Sequence, residues 1–168
     1  MIQAPTRESV ALESVVRALL EEVSDPEIPT ISIVDLGLVH RVAVSPGSIR
    51  VELLPTFVGC PALDVLRGAV EERLSGLAPT VEVAFSFAEP WTSERITPEG
   101  RARLRASGFA PPMPASDPDH ALPVLPLAQC PFCGSRRATL ENAFGPTLCR
   151  AIYYCTDCRQ PFELFKSV

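Results

Sequence analysis

Six cysteines stand in this chain, and four of them fall into two pairs of identical spacing. Cys130-Pro131-Phe132-Cys133-Gly134 and Cys155-Thr156-Asp157-Cys158 are separated by 21 residues. A Cys-x-x-Cys pair turns tightly enough to offer two thiolates to one ion, and two such turns complete a tetrahedral sulfur site. The interval is slightly longer than usual, but it and the tail hold the strand-like runs 151–154 and 162–165. This is the pattern of a zinc ribbon. A core of 39 residues is too small to fold unaided, so the zinc is structural. A single iron, an iron–sulfur cluster and a redox dithiol are the rival readings of the same thiols, and zinc leads them.

The fifth candidate is Cys60, in Thr56-Phe57-Val58-Gly59-Cys60-Pro61. The stretch follows an alternating apolar run and precedes a helical pattern, so Pro61 suits the first helical position and Cys60 the N-cap. There the helix dipole would favour the thiolate, the form that attacks electrophiles and binds metals. A small buried cysteine that merely fills space is the competing reading. Cys149, the remaining cysteine, reads as core, with a spare thiol or a substitute ligand as alternatives. Upstream, Asp25-Pro26-Glu27-Ile28-Pro29 and Asp35-Leu36-Gly37-Leu38 read from the residues alone as a rigid helix-to-strand connection with solvated charges.

The elements that must hold these residues follow from periodicity. Leu12, Val15, Val16, Leu19, Leu20 and Val23 mark an amphipathic helix, ended by Pro26. Val42 and Val44, a turn at 45–48, then Ile49, Val51 and Leu53 predict a β-hairpin. Leu63, Leu66, Val70 and Leu74 predict a second helix closed by Gly76, and Val81, Val83, Phe85 and Phe87 a third strand. Thr97-Pro98-Glu99 opens a short basic helix that stops near Gly108, with Trp91 just before it as a core or lid residue. Six prolines between 110 and 129 predict an extended spacer. The expected architecture is α+β: a small helix-plus-mixed-sheet domain over 1–109, a proline-rich linker over 110–129, and a zinc ribbon over 130–168.

Composition narrows the function. The 168 residues are 46% hydrophobic and carry a net charge of −5. The acidity sits in residues 1–98, at −7, whereas 130–168 carry +2. Four thiolates around Zn²⁺ add a formal −2 that cancels this, so a nucleic-acid partner is disfavoured, although Arg136, Arg137 and Arg150 could approach phosphate. No apolar run spans a bilayer and no basic-then-apolar leader opens the chain, which points to the cytoplasm. The two histidines, His40 and His120, lie in no Glu-x-x-His pattern, which excludes a di-iron site.

The acidic loop Asp25–Pro29, the Asp35–Leu38 motif, Thr56 and Cys60-Pro61 resemble the small α+β domain of iron–sulfur cluster assembly and metal–sulfur maturation proteins. Pro90-Trp91-Thr92, Ile96-Thr97 and the ribbon ending Cys158-Arg159-Gln160-Pro161-Phe162-Glu163 resemble the family of the D component of the bacterial phenylacetyl-CoA epoxidase system. The resemblance covers the chain apart from the proline-rich segment. It implies an accessory protein of aerobic phenylacetate catabolism that helps mature the metal centres of the epoxidase, above all the iron–sulfur cluster of its reductase subunit. By matching position, Cys60 would contact iron or a cluster transiently, with Thr56, Asp25 and Glu27 around it. One cysteine cannot complete a cluster's coordination, so the resemblance implies ligands from a client protein, a second protomer in a homodimer, or Cys149. A non-catalytic scaffold and an enzyme with Cys60 as nucleophile are the other two readings; the latter lacks an evident base.

Overall fold

The computed structural model describes residues 7–57, 59–112 and 128–166. They form two compact units, 1–89 and 90–168, and each is described by itself.

The first unit opens with α1 (Arg7–Leu20), which buries Val16 and Leu20 and carries a Glu13–Arg17 ion pair one turn apart. Val15, expected on the buried face, is exposed. The helix ends at Leu20, well before Pro26, as the Glu22 and Val23 amides tighten onto the Leu19 and Leu20 carbonyls. The following segment to Leu38 is irregular but closely bonded. The Ile33 amide donates to Val23, Asp25 to Ile31, and Leu38 to Ile33, each at 2.9 Å. Ile28, Ile31, Ile33, Leu36 and Leu38 are all buried. The stretch is the expected helix-to-strand connection, with Asp25, Glu27 and Asp35 half-buried, but its isoleucines face inward as core while its backbone groups satisfy one another.

The hairpin forms as expected from β1 (Val39–Ser45) and β2 (Ser48–Leu53). After α2 (Leu63–Leu74), β3 (Thr80–Phe85) returns parallel to β2, giving a mixed sheet of order β1-β2-β3. A parallel return needs a crossover, and α2 supplies it. Leu66, Val70 and Leu74 are its buried stripe, and Gly76 follows its C-cap as predicted. Phe87, expected in the third strand, lies beyond its end and is exposed.

The second unit starts at Pro90, earlier than the 109/110 boundary expected from sequence. A short 3₁₀ turn (Ser93–Arg95) precedes α3 (Pro98–Ala106), which has Thr97 as N-cap: its hydroxyl accepts from the Gly100 amide at 2.9 Å. Strand β4 (Phe109–Ala110) then joins β5 (Ala138–Asn142), β6 (Arg150–Cys155) and β7 (Pro161–Phe165) in a sheet of order β4-β7-β6-β5. Trp91 packs edge-on against Phe165 with ring centroids 5.8 Å apart. Arg101 bonds the carbonyls of Ser93 and Pro112. These contacts are why 90–112 belongs with the ribbon: a three-stranded ribbon alone buries too little, and the preceding segment adds an edge strand, a helix and the only tryptophan. Of the expected linker, residues 113–127 lie outside the described residues, while Ala110–Pro112 and Ala128 are buried parts of this unit.

Candidate metal centre and cysteine site

The Sγ atoms of Cys130, Cys133, Cys155 and Cys158 all lie within 4.8 Å of one another. The Cys130–Cys158 and Cys133–Cys155 separations are 3.6 Å. Zn–S bonds of about 2.3 Å in a tetrahedron require S···S of about 3.8 Å, so the four sulfurs fit one zinc ion.

The two knuckles are built alike. Gly134 donates to the Cys130 carbonyl and Arg159 to the Cys155 carbonyl, both at 2.9 Å. Cys130 and Cys155 in turn donate to Ser135 and Gln160. In each, the residue after the second cysteine turns left-handed, Gly134 at φ 74° and Arg159 at φ 60°. Gly134 adopts this freely; Arg159 does so under strain.

The same turns aim backbone N–H groups at sulfur. The Cys158 and Asp157 amides lower the Cys155 thiol to about 7. Burial and the neighbouring Cys130 thiol push Cys158 up to about 12. Cys133 has the Ser135 amide in favour of its thiolate, yet desolvation and the Cys155 and Cys130 sulfurs raise it. Four thiols this close cannot all ionise until a cation takes the protons' place.

A layer outside the sulfurs holds the knuckles together, and nothing in the cysteine spacing announced it. Asp157 accepts from both the Arg137 guanidinium and the Ser135 hydroxyl, and is held below the usual carboxylate range by them. Thr156 bonds the Arg137 carbonyl through its amide and its hydroxyl, both at 2.9 Å. Arg137 and Arg150, considered for phosphate, are thus engaged. Arg150 is buried, 3.1 Å from the Glu163 carboxylate and stacked over the Phe109 ring. Cys149 stands outside the sulfur cluster, buried at the opposite end of β6 from Cys155, with its sulfur 3.1 Å from the Thr147 hydroxyl. A substitute-ligand role is excluded, since six strand residues span about 20 Å.

Cys60 lies in the loop between β2 and α2. Its amide donates to the Phe57 carbonyl at 3.2 Å, closing a tight turn. A Cβ at Gly59 would come to 3.0 Å from the Phe57 ring, so glycine lets that ring fold back over the turn. Helix α2 begins at Leu63 with Ala62 as its N-cap, not at Cys60 as expected, and Pro61 precedes the helix. The expected gain for the thiolate is reversed as well. Burial raises the thiol above its ordinary value and the charges of Glu27 and Asp25 raise it further, outweighing the Ala62 amide that points at the sulfur. Cys60 is therefore a protonated thiol at neutral pH, in an electronegative setting that welcomes a cation.

The 25–31 loop that carries the two carboxylates is tied by its own backbone hydrogen bonds. Asp25 Oδ1 accepts from the Glu27 and Ile28 amides, each at 2.9 Å. Thr56 shares the Cys60 loop and is half-buried, but it is not among the groups that shift the thiol. Among the described residues, the four ribbon cysteines are the one group of three or more close ligands. Cys60, Asp25 and Glu27 do not form a closed chelate by themselves. His40, the extra residue where the β1–β2 register shifts, pairs with Glu89 at 3.3 Å. His120 lies outside the described residues.

Comparison with known proteins agrees with both halves. Residues 13–85 match the family described as iron-sulfur cluster assembly protein, and residues 117–166 the family described as PaaD zinc beta ribbon domain. The four-thiol site is accordingly a structural zinc site. An iron-sulfur cluster carrier protein of Mycobacterium bovis is 30% identical over 70% of this chain, which spans only 30% of that relative. A domain of unknown function from Bacillus anthracis, solved by crystallography, superimposes with a TM-score of 0.54 at 31% identity, covering 58% of this chain and 94% of that one. No helix among the described residues is long and apolar enough to cross a membrane. An Escherichia coli (strain K12) protein, provisionally named as the D component of 1,2-phenylacetyl-CoA epoxidase, is 41% identical over 90% of both chains. With that identity over nearly the whole length, the chain belongs to the family of the phenylacetyl-CoA epoxidase D component.

Proposed function

We propose that this protein is an accessory subunit that helps assemble or repair a metal centre of a multicomponent phenylacetyl-CoA epoxidase. It works in the cytoplasm, and its client is the iron–sulfur reductase subunit. What supports the reading is the place of Cys60 in the β2–α2 loop, with the negative charges of Asp25 and Glu27 acting on its thiol. The two carboxylates oppose a third negative charge on the sulfur and attract iron. When iron arrives, the thiol proton leaves and Cys60 becomes a ligand, its charge matched by the metal rather than by a base. One sulfur flanked by carboxylates holds such cargo loosely, so the remaining ligands come from the client and transfer is easy. The zinc ribbon holds its own metal in four thiolates and takes no part in the exchange. A Cys60 nucleophile is disfavoured because its thiol is raised above the ordinary value rather than lowered.

The test is metal and acid-labile sulfide analysis of anaerobically purified wild type and Cys60→Ser, followed by incubation with cluster-free reductase. Both proteins should hold about one zinc per chain. Only the wild type should restore the reductase's cluster. Equal restoration by Cys60→Ser would show a scaffold whose cysteines are all structural.

A further inference from the structure

Strands β2 and β3 run parallel with α2 returning between them, so both strand ends, the Cys60 loop and the first turn of α2 share one end of the unit. That end is apolar. Phe57 is 38% exposed, Val65 60% and Phe87 57%; among the described residues of this unit the other exposed large apolar side chains are Val10 and Val15 of α1. Arg67 of α2 lies 5.2 Å over the Phe85 ring, and the Ser86 amide donates to the Leu53 carbonyl at 2.8 Å. Phe87 therefore lies beyond the strand end, at the end of the sheet from which α2 starts. Single exposed apolar side chains are ordinary; three large ones sharing an end with a half-buried thiol are a surface awaiting a partner.

The surrounding charge selects that partner. Asp25 and Glu27 act on the Cys60 thiol, Asp64 opens α2 with Arg67 paired to it, Glu89 pairs with His40, and residues 1–89 contain 13 acidic against 6 basic residues. Nucleic acid and anionic lipid are repelled by such a rim. A second copy docked face to face would set like charges against like, which disfavours a symmetric dimer through this face. We propose that the Cys60 end of the first unit is a docking face for a different, folded protein that presents an apolar patch rimmed by lysine or arginine. The inference deepens the maturation reading: it describes the client's surface and explains how a client's ligands are brought to a lone sulfur.

The test is titration of the full-length protein with each purified component of the epoxidase in turn, at low and high salt. One component should bind, more weakly as salt rises. The Phe57→Ser/Phe87→Ser double variant should bind it about tenfold or more weakly. Phe144→Ser, at an equally exposed aromatic (61%) in the second unit, is the control and should bind normally. The proposal is overturned if the double variant binds as the wild type does, or if Phe144→Ser weakens binding equally. It is likewise overturned if no component binds, or if sedimentation shows self-association that the double variant abolishes. Normal docking combined with failure to restore a cluster would sink the maturation reading and leave the docking face standing.

Discussion

Removing zinc should unfold more than the cysteine knuckles. Trp91, 39 residues before the first zinc ligand, is only 2% exposed and packs edge-on against Phe165 of β7. The chain of contacts runs from the metal through Cys155 and β6 to β7, then to Trp91 and β4. The second unit has roughly 60 described residues, and folded domains hold about 0.05–0.15 kcal/mol per residue, which gives about 3–9 kcal/mol for the unit. A structural zinc site in small peptides is worth about 10–16 kcal/mol. Loss of the metal thus exceeds what the unit has to spare, and the whole of it should open. The assay is tryptophan emission during anaerobic chelation with a reductant present, with zinc release followed in parallel by a metal indicator. Because Trp91 is the single tryptophan, its emission should shift to the red in step with zinc release, and readdition of zinc should reverse it. The first unit should keep its helical signal. If zinc is fully released while Trp91 stays buried, residues 90–112 are not held by the metal-stabilised core and the placement of the boundary at Glu89 is wrong.

Replacing the carboxylates near Cys60 by Asp25→Asn and Glu27→Gln keeps the Asp25 cap acceptor but removes two negative charges, so the thiol value should fall. Alkylation by iodoacetamide near pH 7, read by mass spectrometry at Cys60, should then run faster than in the wild type; an unchanged rate would remove the electrostatic argument. The wild-type rate should climb with pH and level off only above the ordinary thiol range. Arg159→Gly relieves a left-handed residue and should stabilise the zinc-loaded unit by about 1 kcal/mol, seen as a thermal midpoint raised by a few degrees. A lower midpoint would mean that the Arg159 side chain contributes more than its backbone costs.

Local chemistry was legible in the chain wherever it needed only neighbouring residues. The Cys-x-x-Cys turns, the Thr97-Pro98 helix start, the Gly76 helix end and the alternation of Ile49, Val51 and Leu53 each depend on a few consecutive positions, and each formed as read. Where the outcome depended on what packs against a segment, the pattern fell short. The proline-flanked acidic loop is the connection its residues implied, but nothing local announced that Ile28, Ile31 and Ile33 would be core. Cys60 looked like a helix cap because Pro61 follows it, but the helix starts at Leu63 and burial overrides the dipole.

The amino-acid sequence by itself determined the ligand set of the ribbon, the order of helices and strands in the first unit, and membership in a family that pairs an assembly-type domain with that ribbon. All three rest on short-range pattern or on identity along the chain. Only the tertiary structure decided that residues 90–112 complete the ribbon, that Asp157, Ser135 and Arg137 clasp its knuckles, and that two carboxylates raise the Cys60 thiol. Those facts rest on burial and charge between residues distant in sequence, and such energies exist only once the chain has brought the groups together.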